Sequence, residues 1–141
     1  MRAFFDTSVL VPTFYGDHPR HQASLAVVLA FQRKQAACAA HSLAEVYSTL
    51  TRLPLRPRIS PEQAMLLLET MRERFTLIAL NNREYFAAIE QAAGAGVAGG
   101  AIYDALIAKC ALKAPADILY TWNPSDFERL GPEIAKRVRT P

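Results

Sequence analysis

The chain has 141 residues, with 16 Lys+Arg against 13 Asp+Glu, three His and two Cys; 51% is hydrophobic and 21% charged. That is enough for one folded domain over residues 1–141 without a metal or disulfide staple, and it excludes a disordered chain or a polybasic tail. The net charge of +3 permits a polyanionic partner without pointing to one, and the uncharged runs 21–32 and 91–103 fall short of the about 18 residues a bilayer span needs.

In chain order, Met1–Phe5 is a short apolar run that stops at Asp6 and reads as a buried strand. Asp6 also breaks the one apolar N-terminal stretch, so no secretory signal is expected. His21–Lys34 has helical spacing at Leu25, Val28, Leu29 and Gln32, and a charged end. Gln35–Ala40 is a second apolar run. Ser42-Leu43-Ala44-Glu45 has the form of a capping box opening a helix to about Arg52, and Ser60-Pro61-Glu62-Gln63 that of another, to about Arg74. The prolines of Leu53–Arg58 separate these two helices. Thr76–Leu80 is a third strand, Arg83–Ala93 a helix, Gly94–Gly100 a flexible connection, Ile102–Lys113 a helix and Asp117–Thr121 a fourth strand. Unbroken apolar strands alternating with helices predict an α/β/α sandwich, its sheet mainly parallel and covered on both faces. Cys38 and Cys110 lack CxxC spacing and sit in apolar surroundings, which suits buried thiols in a reducing cytoplasm.

Most acids mark polar helix faces. Asp6, Glu45 and Asp104 instead lie within apolar segments, where an uncompensated charge is costly. Each has an ordinary structural use: Asp6 as a helix cap, Glu45 as the partner of Ser42, Asp104 as a dipole-favoured acid. In an open parallel sheet, however, the strand ends and the first turns of the following helices share one edge, where ligands bind. Three carboxylates gathered there would repel one another, and a hard cation with oxygen ligands, Mg²⁺ or Mn²⁺, is the usual remedy.

Four segments, FFDTSVLV, LAEVYSTLTR, IYDALIAKCAL and LYTWNPSDFERL, occur in order. With them the sequence resembles PIN-domain ribonucleases, most closely the VapC toxins of bacterial toxin–antitoxin pairs, over about Met1–Leu130. The resemblance implies a PIN-like three-layer α/β/α sandwich with four to five strands. It implies a metal-dependent endoribonuclease in which Asp6, Glu45 and Asp104 are catalytic and metal-binding acids, Thr7 and Ser8 hold Asp6 and water, and Thr121 supports the last motif. Many relatives carry a fourth acid where this chain has Asn123; Asp126 is the alternative source of that charge, or else a cap of a short helix from Asp126 to Leu130. The resemblance further implies an RNA substrate, a VapB-type antitoxin partner that places a segment in the acidic cleft, and a homodimer, for which Leu43–Leu53 and Met65–Met71 offer apolar faces.

An acidic site needs cations outside it to hold RNA. Arg52, Arg56 and Arg58 are the first candidates, with Lys109, Lys113 and the Lys136-Arg137-Arg139 tail behind them. Trp122, Tyr103 and Tyr47 are available to stack on unpaired bases; His18, His21 and His41 read as surface or capping groups. A phosphoacceptor receiver domain would carry adjacent acids after its first strand and Lys after its last, and a haloacid-dehalogenase-like phosphatase a second Asp where Ser8 stands. The remaining alternative is a catalytically weak or inactive PIN-like module that binds RNA or protein, for which the amide at Asn123 argues.

Overall fold

The structure, a computed structural model, describes residues 1–141. Five parallel strands form one sheet in the order β3-β2-β1-β4-β5. They are β1 (Ala3–Phe5), β2 (Ala36–Ala39), β3 (Thr76–Ile78), β4 (Ile118–Tyr120) and β5 (Val138–Arg139). β1 is central, pairing Phe4 with Ala37 of β2 and Phe5 with Tyr120 of β4. The helices are α1 (Thr7–Phe14), α2 (His21–Leu29), α3 (Ala40–Arg52), α4 (Pro61–Arg74), α5 (Asn82–Gly94), α6 (Ala101–Lys113), α7 (Pro124–Glu128) and α8 (Pro132–Ala135).

The central strand is apolar without alternation because each face of the sheet has its own core. Ala3 and Phe5 point into a core built with Val9, Leu10, Val28, Val46, Leu50, Met71 and Phe75 from α1 to α4 and the residue after them. Phe4 points the other way, among Ala88, Ile107, Ala111, Phe127 and Ile134 from α5 to α8. Phe5 anchors the first core with an edge contact to Phe75, centroids 5.6 Å apart, and a stack on Tyr120 at 5.5 Å. The three-layer α/β/α architecture expected from the strand–helix alternation is therefore present. No helix is long and apolar enough to cross a membrane.

Several boundaries differ from the sequence reading for local reasons. α2 ends at Leu29, and the Arg74 guanidinium from the end of α4 donates to the carbonyls of Val28 and Phe31 on either side of that end; Arg33–Gln35 then forms a separate 3-10 turn. The Ser60 box is present in both directions, with Gln63 N–H donating to Ser60 Oγ at 3.1 Å and Ser60 N–H to Gln63 Oε1 at 2.8 Å. The Ser42 box is absent. α3 starts at Ala40, straight off β2 with Ala39 as its cap, so Ser42 already lies inside the helix and Glu45 falls in the second turn. α7 starts at Pro124, so Asp126 is within that helix rather than its cap.

The basic C-terminal tail leads into β5: Leu119 N–H donates to Arg137 O and Thr121 N–H to Arg139 O. Arg137 is used inside the fold, its Nε donating to Ala116 O at 2.9 Å, and Lys136 pairs with Glu133 at 3.0 Å. Lys113 bridges Glu84 and Ala79 O at 2.7 and 2.8 Å, roughly 13 Å along α6 from Asp104. Neither Arg137 nor Lys113 is thus a free surface cation. Of the two stretches expected to offer a pairing face, Leu43–Leu53 turns Val46 and Leu50 into the core, whereas Met65 and Leu66 of α4 stay exposed.

Candidate functional site

The carboxyl end of β1 delivers Asp6 to the edge of the sheet, where it caps α1 and is only 4% exposed. Two hydroxyls hold it. Ser8 Oγ donates to Asp6 Oδ2 at 2.7 Å and accepts the Trp122 N–H at 2.9 Å. Thr121 Oγ1 donates to the same oxygen at 2.9 Å and accepts the Asn123 N–H at 3.0 Å. A hydroxyl has one proton, so each backbone N–H that occupies a hydroxyl lone pair leaves its proton for the carboxylate. The Ser8 N–H also approaches Oδ2, at 3.4 Å; none of these three bonds falls on Oδ1. Burial pushes the Asp6 pKa up, and the bonds from Ser8 and Thr121 pull against it.

Thr7 serves a different acid. Its Oγ1 lies 3.1 Å from Glu45 Oε1 and 2.9 Å from Ser42 Oγ. With Glu45 ionised, the single Thr7 proton goes to the carboxylate, and Thr7 reaches Asp6 only through its backbone N–H. Ser42, fully buried, thus completes this relay rather than capping a helix. Glu45 is pushed up by burial and by the Asp6 charge, against Thr7 and His41.

Asp104 stands in the first turn of α6. Burial, then the charges of Asp6, Asp126 and Glu45, push its pKa up to about 6, with only Arg129 acting against them. The fold therefore makes Asp6, Glu45, Asp104 and Asp126 electrostatic neighbours, although they come from four separate segments. Asp126 stands 4.0 Å from the Arg129 guanidinium, while Asn123 is exposed and is linked to the cluster through its backbone only, its N–H donating to Thr121 Oγ1 at 3.0 Å and its carbonyl accepting the Asp126 N–H at 3.1 Å.

The donor set is all oxygen. No three His, Cys, Asp or Glu side chains stand where they could hold one ion together, so this is not a closed cage of the calcium or zinc kind. It fits a small hard cation that takes one or two carboxylates and fills its remaining positions with water or phosphate, as Mg²⁺ does. Asp6 and Asp104 are the residues that could accept such an ion.

Of the candidate cations, Arg52 ends α3, its Nε donating to Ser48 O at 3.3 Å, and Arg56 and Arg58 are exposed on the following loop. Trp122 is already engaged: its Nε1 donates to Ser24 Oγ at 2.9 Å and Arg20 lies 4.5 Å above its ring. Two neighbours of the acids were not expected there: His41 reads from the sequence as a surface or capping group, and Arg129 is not singled out by it. His41 stacks on Tyr103 with Nε2 3.9 Å from Glu45 Oε1, and Arg129 faces Asp126; their spacings, i,i+4 and i,i+3 on helices, were the available signal.

Comparison with known proteins adds three findings. The model of the PIN domain family matches residues 3–131. Among curated proteins, Ribonuclease VapC27 of Mycobacterium tuberculosis is 38% identical over 116 residues, 80% of this chain and 79% of that protein. Ribonuclease VapC40 of the same species is 35% identical over 114 residues, 81% of each. Among solved structures, M. tuberculosis VapC20, described as a Sarcin-Ricin loop cleaving toxin, superposes with a TM-score of 0.70 at 14% identity, covering 88% of this chain and 92% of that one. DNA-bound VapBC from Salmonella typhimurium gives 0.68 at 16% identity, covering 99% and 98%.

Proposed function

This chain belongs to the PIN-domain family, and on that premise we propose that it is an endoribonuclease of the VapC type, the toxin of a toxin–antitoxin pair. The relatives named as VapC ribonucleases support the activity. The observation that carries the site assignment is the pair of hydroxyl relays, Ser8 and Thr121 on Asp6 and Thr7 with Ser42 on Glu45, at the sheet edge where Asp104 stands in the first turn of α6. We assign Asp6 and Asp104 as the principal ligands of Mg²⁺ or Mn²⁺, with Glu45 beside them and Asp126 rather than Asn123 as the fourth acid.

When bound, the ion would supply Lewis acidity toward the scissile phosphate and its attacking water. The chain's own groups do the rest. Ser8 and Thr121 fix Asp6 in one orientation through its Oδ2. Thr7, backed by Ser42, fixes Glu45, whose other oxygen orients the water for attack in line with the 3′ oxygen. The P–O3′ bond breaks, oxygen from water joins phosphorus, and the proton passes to the departing 3′ oxygen, leaving a 5′-phosphate. Arg129, beside Asp104 and Asp126, joins Arg52, Arg56 and Arg58 as a candidate for holding the RNA backbone.

The partners follow from the same reading: RNA as substrate and a VapB-type antitoxin as inhibitor, in line with the VapBC complexes among the structural neighbours. A homodimer would use Met65 and Leu66 of α4, the part of the expected face left exposed. The buried unpaired thiols suit a reducing cytoplasm, and we assign residues 1–141 to one PIN-like domain.

A weak or inactive binding module is the second reading, favoured by the amide at Asn123 and by the lack of a ready three-ligand group. The deciding experiment is cleavage of structured RNA in Mg²⁺ or Mn²⁺ by the wild type, Asp6→Asn and Asp104→Asn. The nuclease reading requires cutting by the wild type and a loss in both variants. Absence of cutting by the wild type selects the second reading, and equal cutting by all three removes the site assignment.

A further inference from the structure

α3 packs on one face of the sheet and α6 on the other, and each carries one acid of the cluster with an aromatic ring near it in sequence. His41 lies one helical turn before Glu45, and Tyr103 immediately precedes Asp104. The two rings meet across the carboxyl edge of the sheet, their planes within 2° of parallel and their centroids 5.6 Å apart. That edge is where open α/β sheets receive their ligands.

Several other aromatic groups are already used. Phe5, Phe31, Phe75 and Tyr120 pack on one another in the core, and Trp122 is held by Ser24 and Arg20. Tyr103 differs in being 50% exposed. His41 lies parallel to this ring and offset from it, overlapping part of one face, and half of the tyrosine surface stays open to solvent. An exposed aromatic face beside a cluster of acids offers nothing to a bare phosphate chain. It does match a nucleobase, whose π-face stacks on such a ring once the base is unpaired.

We infer that the His41–Tyr103 pair is a nucleobase subsite, in which an unpaired base of single-stranded or looped RNA stacks on the open face of Tyr103. The inference rests on the acids being a nucleic-acid site and adds what the acids cannot supply, a preference for strands with free bases. Tyr103 is the contact. His41 is a positioning residue that backs the tyrosine ring and is steadied by Glu45, 3.9 Å from its Nε2. A base-paired helix presents no free base face and is excluded.

The test measures binding apart from cleavage. The Asp6→Asn protein, in Mg²⁺, is titrated by fluorescence anisotropy against labelled oligoadenylate of roughly ten nucleotides and against an abasic ribose-phosphate chain of the same length. The subsite requires oligoadenylate to bind about tenfold tighter than the abasic chain, the usual worth of one stacked base. Tyr103→Ala in the same background should bring the two affinities together, whereas Tyr103→Trp and Tyr103→Phe keep the preference. His41→Phe, which keeps a ring but drops the Glu45 contact, should also keep it, and His41→Ala should weaken it. An unchanged preference in a folded Tyr103→Ala protein would overturn the subsite, as would equal loss for both probes. Wild-type cleavage is scored separately. Cutting without base preference overturns the subsite alone, while base preference without cutting overturns the nuclease reading and leaves the subsite standing.

Discussion

Replacing Thr121 with valine puts a methyl in place of a hydroxyl at a position with no solvent exposure. Shape is nearly conserved, so the perturbation is electrostatic. The bond to Asp6 Oδ2 at 2.9 Å is lost, and the Asn123 N–H loses its acceptor at 3.0 Å. A hydrogen bond to a charged group is worth about 1.5–3 kcal/mol. The second loss adds less, because Asn123 is exposed and water can take its N–H. The expected cost at neutral pH is about 2–3 kcal/mol. It depends on pH in a definite direction. Burial raises the Asp6 pKa above its ordinary 3.8, and the Thr121 bond restrains that rise. A carboxyl raised in the folded state contributes stability that is fully present below 3.8 and lost as pH rises through the folded value. Valine raises the folded value further and so deepens the loss. Variant and wild type should lie closest in acid and separate as Asp6 ionises. Urea unfolding from about pH 4 to about pH 8 measures this, followed by circular dichroism and by the fluorescence of Trp122, the chain's one tryptophan. Thr121→Ser, which keeps the hydroxyl, should recover most of the loss. A gap of zero, or one independent of pH, would refute the claim that Thr121 supports the charge on Asp6. On the nuclease reading, Thr121→Val should also lower cleavage about 10–100-fold, the range for removing a group that orients a metal ligand.

Without divalent cations, stability should fall between 3.8 and about 6, the ordinary and folded values of Asp104, since its proton is held only in the folded state; Asp104→Asn should flatten that fall in the same urea series. Added Mg²⁺ should raise the unfolding midpoint of the wild type more than that of Asp104→Asn, a comparison made by calorimetry. Phe5→Ala should cost about 3–5 kcal/mol in urea unfolding, because the ring is fully buried among Phe31, Phe75 and Tyr120. Burial pushes the Cys38 thiol up to about 12 and Cys110 up to about 11, so titration with an aromatic disulfide reagent should find both inert in the native protein and reactive in denaturant.

Much of the molecule was legible in one dimension. The runs at Met1–Phe5 and Asp117–Thr121 show no alternation because both faces of β1 and β4 are covered, and Ser60-Pro61-Glu62-Gln63 marks a helix start because its bonds are local. The Ser42 reading failed on the same kind of signal. A Ser-x-x-Glu spacing is compatible with a box, but β2 runs into α3 at Ala40, and Thr7, 35 positions earlier in the chain, claims both the hydroxyl of Ser42 and the carboxylate of Glu45. β5 was missed because a two-residue strand in a basic segment carries almost no periodicity; its assignment comes from backbone bonds to β4.

The sequence by itself determined the alternation of strands and helices, the two-sided core, and the presence of three acids in segments too apolar to leave charge unused. Those properties depend on residue type and near neighbours. Only the tertiary structure decided which hydroxyl serves which acid, that Asp126 and Arg129 sit with Asp104, that the tail cations are tied into the fold, and that His41 lies flat against Tyr103. Most of these join groups from separate elements across the carboxyl edge of the sheet or along β4. The physical reason is common to them all: burial and charge coupling act through space, and no spacing along the chain encodes a distance that the sheet order β3-β2-β1-β4-β5 alone brings about.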